Sequence, residues 1–135
     1  MLTRQMREIE ERIVANGRVE DHEIKVLEQL LYSDGKIDRK DANFVVELHK
    51  RVAIRSPAFE KFHYKILKDH VLANGFIGSG EVNWLREVLL DDDRVDDEER
   101  KFLRELKGEA STFPTEFEKL YKECMNMPQE QHTSR

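Results

Sequence analysis

Apolar residues recur along the chain at the spacing of helix faces. Leu27, Leu30 and Leu31 form one stripe, and Phe44, Val45, Leu48 and Val52 form the next. Val82, Leu85 and Leu89 make a third, and Phe102, Leu103 and Leu106 a fourth. Steps of three and four residues place side chains on one face of a 3.6-residue helix, with the charged residues between them facing outward. A helix near residues 3–15 carries Met6, Ile9 and Ile13. A middle helix opens at Ser56-Pro57, with proline in its favoured first turn, and carries Phe59, Phe62, Ile66 and Leu67. A last helix opens near Pro114 with Phe117, Leu120, Tyr121 and Cys124. No segment alternates as a strand would. The expected fold class is all-α, a compact array of about seven helices forming a single domain over residues 1–126. Residues 127–135 are polar and are expected to be a disordered tail.

The array repeats itself. Residues 13–49 and 71–107 align at an offset of 58, with eleven identical positions that include Ala15/Ala73, Asn16/Asn74, Gly17/Gly75, Leu27/Leu85, Asp38/Asp96 and Phe44/Phe102. Internal identity at a fixed offset implies two similar supersecondary units. Each unit holds a shorter phrase twice: Asn or Asp, usually Gly, any residue, Val or Ile, then a carboxylate four positions on. The four copies run from Asn16 to Glu23, Asp34 to Asp41, Asn74 to Glu81 and Asp92 to Glu99.

Such a phrase describes a joint between two helices. Glycine closes the first helix in a left-handed conformation that a side chain disfavours. Val or Ile then packs on the first turn of the next helix, and the carboxylate at the third helical position reaches back to the N-cap amide. Asp38 and Asp96 are suited to be N-caps, with Asp41 and Glu99 in the reach-back position. The six glycines, at 17, 35, 75, 78, 80 and 108, all fall at inferred helix ends. Residues 91–99, DDDRVDDEE, go further, with seven carboxylates around the single Arg94. Asp91, Asp92 and Asp93 lie at the end of the preceding helix, where the exposed carbonyls already make the potential negative. They call for solvent, a cation or a basic partner.

The phrase also matches the second half of a calcium loop. Gly35, Ile37 and Asp41 occupy the sixth, eighth and twelfth positions of an EF-hand, but the first and third are Leu30 and Tyr32 rather than acids. Calcium takes about six to eight oxygen ligands, and one such phrase offers too few. Successive joints alternate between ends of a helical array, so the second and fourth can share an end. Asp34, Asp38 and Asp41 with Asp92, Asp96 and Glu99 are then the candidate ligands of a weak divalent-cation site of calcium type. Capping and cation binding both remain open as roles for these acids.

The arrangement resembles the TerB-like family of bacterial tellurite-resistance proteins, all-helical domains with repeated Asp-Gly-x-Val/Ile-x-x-x-Glu phrases. The matching text is Ser33-Asp34-Gly35-Lys36-Ile37 with Asp41, Asn74-Gly75-Phe76-Ile77 with Glu81, and Asp92-Asp93-Arg94-Val95 with Glu99, within residues 12–107. Asp41 stands where that pattern has Glu, and Asp93 where it has Gly. The resemblance implies a bacterial cytoplasmic accessory domain, tied to metal or envelope stress or to membrane-associated complexes, that acts by binding.

Composition narrows the classes. Lys, Arg, Asp and Glu make up 38% of the 135 residues, and the net charge is −5, which disfavours nucleic acid as a partner. The single Cys124 excludes an internal disulfide and a multi-cysteine zinc site. No apolar run nears the roughly 20 residues of a membrane span, and MLTRQMREIEER is charged from its fourth residue, unlike a leader. No serine sits in a nucleophile-elbow or phosphate-loop context, so no enzyme activity and no cofactor beyond a divalent cation is expected. His63 and His70 are two turns apart, roughly 10.5 Å along the axis, too far to share a metal directly. His22 and His49 have no zinc-like spacing to any partner. Trp84 lies off the strict stripe, as a second buried face or as a partner contact. The favoured function is an interaction module whose acidic pole, Asp91, Asp92 and Asp93 with Trp84, takes a basic or membrane-associated protein partner.

Overall fold

The computed structural model describes residues 4–33, 35–90 and 95–126. Among them there are seven helices and no strand: α1 (Arg4–Asn16), α2 (Asp21–Leu31), α3 (Arg39–Arg51), α4 (Pro57–Val71), α5 (Ser79–Leu89), α6 (Asp97–Glu109) and α7 (Thr115–Asn126). Contacts divide the chain into two compact units, Met1–Ala73 and Asn74–Arg135. The tail 127–135 lies outside the described residues.

In the first unit α1 packs on α2 and α3, and α4 packs on α2 and α3. Apart from Leu30 and Tyr121, which are half-buried, the predicted stripes are the buried faces. Met6, Ile9 and Ile13 of α1 are covered, as are Leu27 and Leu31 of α2, Phe44, Val45 and Leu48 of α3, and Phe59, Phe62, Ile66 and Leu67 of α4. Each fully buried apolar side chain of this size contributes about 1.5–3 kcal/mol of transfer free energy, which far exceeds what intrinsic propensity adds to helices this short. In the second unit α7 packs on both α5 and α6, and Leu85, Leu89, Phe102, Leu106, Phe117 and Leu120 are buried.

Backbone ties hold the joints in place. Gly17 has φ 82°, and its carbonyl accepts a 2.8 Å bond from the Ile54 amide in the α3–α4 connection. A Cβ added there would meet nothing closer than the Ala53 Cβ at 3.6 Å, so the backbone conformation is what calls for glycine. The second unit uses the same device. Gly75, φ 86°, accepts a 2.8 Å bond from the Ser111 amide, and the Thr112 carbonyl accepts a 3.0 Å bond from Ile77. The connections after α3 and α6 are thus pinned to the joints before α2 and α5.

Candidate functional site

The four motif carboxylates all do the same thing. Glu23 Oε1 accepts from the Glu20 amide at 2.9 Å, Asp41 Oδ2 from the Asp38 amide at 3.1 Å, Glu81 Oε1 from the Gly78 amide at 3.2 Å, and Glu99 Oε1 from the Asp96 amide at 2.9 Å. At α3 and α6 the box is reciprocal, with Asp38 Oδ1 accepting from the Asp41 amide and Asp96 Oδ1 from the Glu99 amide, both at 2.8 Å. The residue ahead of each cap, Val19, Ile37, Ile77 and Val95, is buried and staples the entry. The Asp41 amide, held against its carboxylate, keeps Asp38 below the usual carboxylate range, while burial pushes Asp41 above it. Each such N-cap contributes about 1 kcal/mol.

These bonds fill the capping role for four of the six proposed cation ligands. Asp38, Asp41, Asp96 and Glu99 each hold an oxygen against a backbone amide that the helix N-terminus would otherwise leave unsatisfied. Asp34 and Asp92, which complete that set, lie outside the described residues, as do Asp91 and Asp93 of the acidic pole. Trp84 is 5% exposed, in keeping with a second buried face of α5 rather than with an open contact surface. Cys124 is buried too, and burial with Glu99 nearby pushes its thiol up to about 11. At neutral pH it is protonated and a poor nucleophile.

The acidic surface has its own distribution. The second unit carries nine Lys and Arg against fifteen Asp and Glu, a charge of −6, whereas the first carries fourteen against thirteen, +1. At the start of α6, Asp97 and Glu98 are exposed. Arg100 is buried there. It donates to the Cys124 carbonyl at 3.3 Å and pairs at 3.4 Å with Asp97, whose side chain stays 70% exposed.

The histidines separate into two kinds. His70 joins α4 to the start of α3: its Nε2 accepts from Arg39 Nε at 2.9 Å, which leaves the proton on Nδ1 to donate to the Ile37 carbonyl at 3.2 Å. His49 and His63, unconnected in sequence, come together with Glu60. His49 lies in the last turn of α3, while Glu60 and His63 stand three apart on one face of α4. His49 Nε2 lies 2.9 Å from Glu60 Oε1, and the two imidazoles stack with centroids 3.9 Å apart and planes at 15°. Phe59 supports His49 from 5.7 Å, and Tyr64 meets His63 edge-on at 4.6 Å. His63 is 4% exposed, and its Nδ1 has no hydrogen-bond partner. Burial pushes its imidazole well below the ordinary histidine range, with His49 and Arg55 acting in the same direction. Among the described residues, one ligand-capable atom from each of His49, Glu60 and His63 lies within 4.8 Å of the other two.

Sequence reasoning missed this grouping because its members come from two helices. The legible part was the Glu60-x-x-His63 step, which places a carboxylate and an imidazole on one face. No helix among the described residues is long and apolar enough to cross a membrane. No family model matches the chain, and no curated protein or solved structure matches it at a significant level.

Proposed function

We propose that this chain is a non-catalytic cytoplasmic accessory module that works by binding a basic protein partner through its acidic second unit. The observation that carries the reading is the charge division: the net negative charge belongs wholly to residues 74–135, while residues 1–73 are close to neutral. A field of one sign on one unit speeds encounter with a partner of the other sign and disfavours partners of like charge. Seven carboxylates fall within residues 91–99 of that unit's sequence, and α6 begins at Asp97. Asp97 and Glu98 are exposed there, whereas Asp96 and Glu99 are engaged in the cap.

Residues 13–49 and 71–107 are duplicated copies in this reading. Supporting it, α2 and α5 both span eleven residues, α3 and α6 both span thirteen, and each pair begins 58 positions apart. Membership of the TerB-like group, with a role in metal or envelope stress, rests on the three phrases Asp34 to Asp41, Asn74 to Glu81 and Asp92 to Glu99.

The test is affinity capture with the full chain beside an Asp91→Asn, Asp92→Asn, Asp93→Asn triple variant, followed by titration of the captured protein at two salt concentrations. Three interfacial charges at about 0.5–1 kcal/mol each correspond to a loss of tenfold or more. The expected result is that loss, together with weaker binding at higher salt. Equal affinity of both forms at both salt concentrations sinks the proposal.

A further inference from the structure

Beyond the partner reading, and independent of it, we propose that His49, Glu60 and His63 form a binding site for one first-row transition-metal ion of the zinc class. The three side chains are a two-histidine, one-carboxylate donor set, a combination zinc accepts with a fourth position left to water. Two helices present them, so the scaffold is rigid: His49 lies in the last turn of α3, and Glu60 and His63 lie on one face of α4. The pairing of α3 with α4 within the first unit holds these turns together.

Three features point to a ligand rather than to a packed pair of aromatic rings. The first is the unpartnered nitrogen. His63 is 4% exposed and its Nδ1 is bonded to nothing, whereas a buried polar atom of this kind costs about 1–3 kcal/mol when left unsatisfied. The second is the spacing. Bonds of about 2.0–2.1 Å to a tetrahedral ion place ligand atoms about 3.3 Å apart. Here His49 Nε2 and Glu60 Oε1 are 2.9 Å apart, and all three ligand-capable atoms lie within 4.8 Å. The third is freedom to adjust. The His49 and Glu60 side chains are 15% and 28% exposed, so both can rotate toward an ion while buried His63 stays in place.

Binding needs a bare lone pair on His49 Nε2, so the neutral ring carries its one proton on Nδ1, and the metal replaces the hydrogen bond between Nε2 and Glu60 Oε1. The imidazoles then leave their parallel stack, because ring lone pairs lie in the ring planes and parallel planes do not converge on one point. Phe59, stacked against His49 with centroids 5.7 Å apart, limits that swing. Imidazole donors favour zinc, cobalt, nickel and copper over the hard ions calcium and magnesium, which take oxygen. This site is therefore distinct in chemistry, as well as in place, from any carboxylate site at the joints.

The experiment titrates zinc chloride into chelator-stripped, dialysed full chain by calorimetry, and repeats the titration with cobalt(II) followed by its visible absorption. His49→Gln and Glu60→Gln are the test variants, since both positions are partly exposed and tolerate an amide. His22→Gln, an exposed histidine elsewhere, is the control. One equivalent of zinc is expected to bind the wild type and the His22 variant alike. Each test variant should bind at least tenfold more weakly, and calcium at the same concentration should give no heat at this site. Circular dichroism of each variant separates loss of the site from loss of the fold. Absence of saturable zinc binding overturns the proposal, as does binding that survives both His49→Gln and Glu60→Gln in folded protein.

Discussion

Replacing Phe59 by Ala is expected to lower the unfolding free energy by about 3–5 kcal/mol, the usual range for removing a large aromatic ring from a core. Phe59 is fully buried in the first turn of α4, and its ring lies 6.4 Å from Phe62 and 5.7 Å from His49. The loss combines the transfer free energy of the ring with the cavity left where α4 meets α3. Natural domains are stable by only about 5–15 kcal/mol, so this one change removes a large share of what holds the fold. Urea denaturation reads it as a lower midpoint with an unchanged slope. The substitution also takes away the support beneath His49, so the His49–Glu60–His63 grouping should loosen in the fraction that stays folded. A cost below about 1 kcal/mol would contradict the packing described for α4.

Acidification gives the second large effect. In chelator, lowering the pH from 6.5 to 5 is expected to destabilise the protein by up to about 2 kcal/mol through His63 alone. Its imidazole is held well below the model value of 6.5 by burial, then by His49 and Arg55. The unfolded chain therefore binds a proton over a range of pH in which the folded chain does not. Stability from this group is complete above the unfolded pKa and is lost as pH falls below it. Glu60 faces the same cluster through its contact with His49. Ordinary aspartates titrate near pH 4, but histidine's ordinary value is about 6.5 and the chain holds five, so only the difference between wild type and a His63 variant isolates this group. Urea midpoints at the two pH values, for wild type and His63→Gln, check it. A wild-type midpoint that does not move, or one that moves equally in the variant, contradicts the account.

What was legible in the sequence follows the range of the forces involved. Helix positions and joints depend on residues within four or five positions of each other, and these read directly. Pro57 opens α4 as expected, with the Ser56 hydroxyl accepting from the Phe59 amide at 3.1 Å, and Asp38 and Asp96 cap α3 and α6 as expected. The carboxylates of the repeated phrase were ambiguous because an acid at the third helical position serves a cap or a cation equally well in one dimension. The structure shows the capping role filled, since Glu23, Asp41, Glu81 and Glu99 each reach back to an N-cap amide. The histidine–glutamate grouping was illegible for the opposite reason. It depends on α3 lying beside α4, a tertiary fact, and only the step from Glu60 to His63 belongs to one helix. The charge division was hidden as well, because it emerges only once contacts divide the chain after Ala73.

The repeated phrase, on this account, builds the fold, and it leaves recognition to the exposed acids and to the histidine–glutamate cluster. The measurement that tests this most directly is the thermal midpoint of the full chain in chelator and again in millimolar calcium. A ligand at 100 times its dissociation constant adds about 2.7 kcal/mol, a shift of several degrees for a domain of this size. The account predicts no shift, because Asp38, Asp41, Asp96 and Glu99 are engaged with backbone amides. A shift of several degrees that disappears in an Asp38→Asn, Asp96→Asn variant would contradict it and make these joints cation sites.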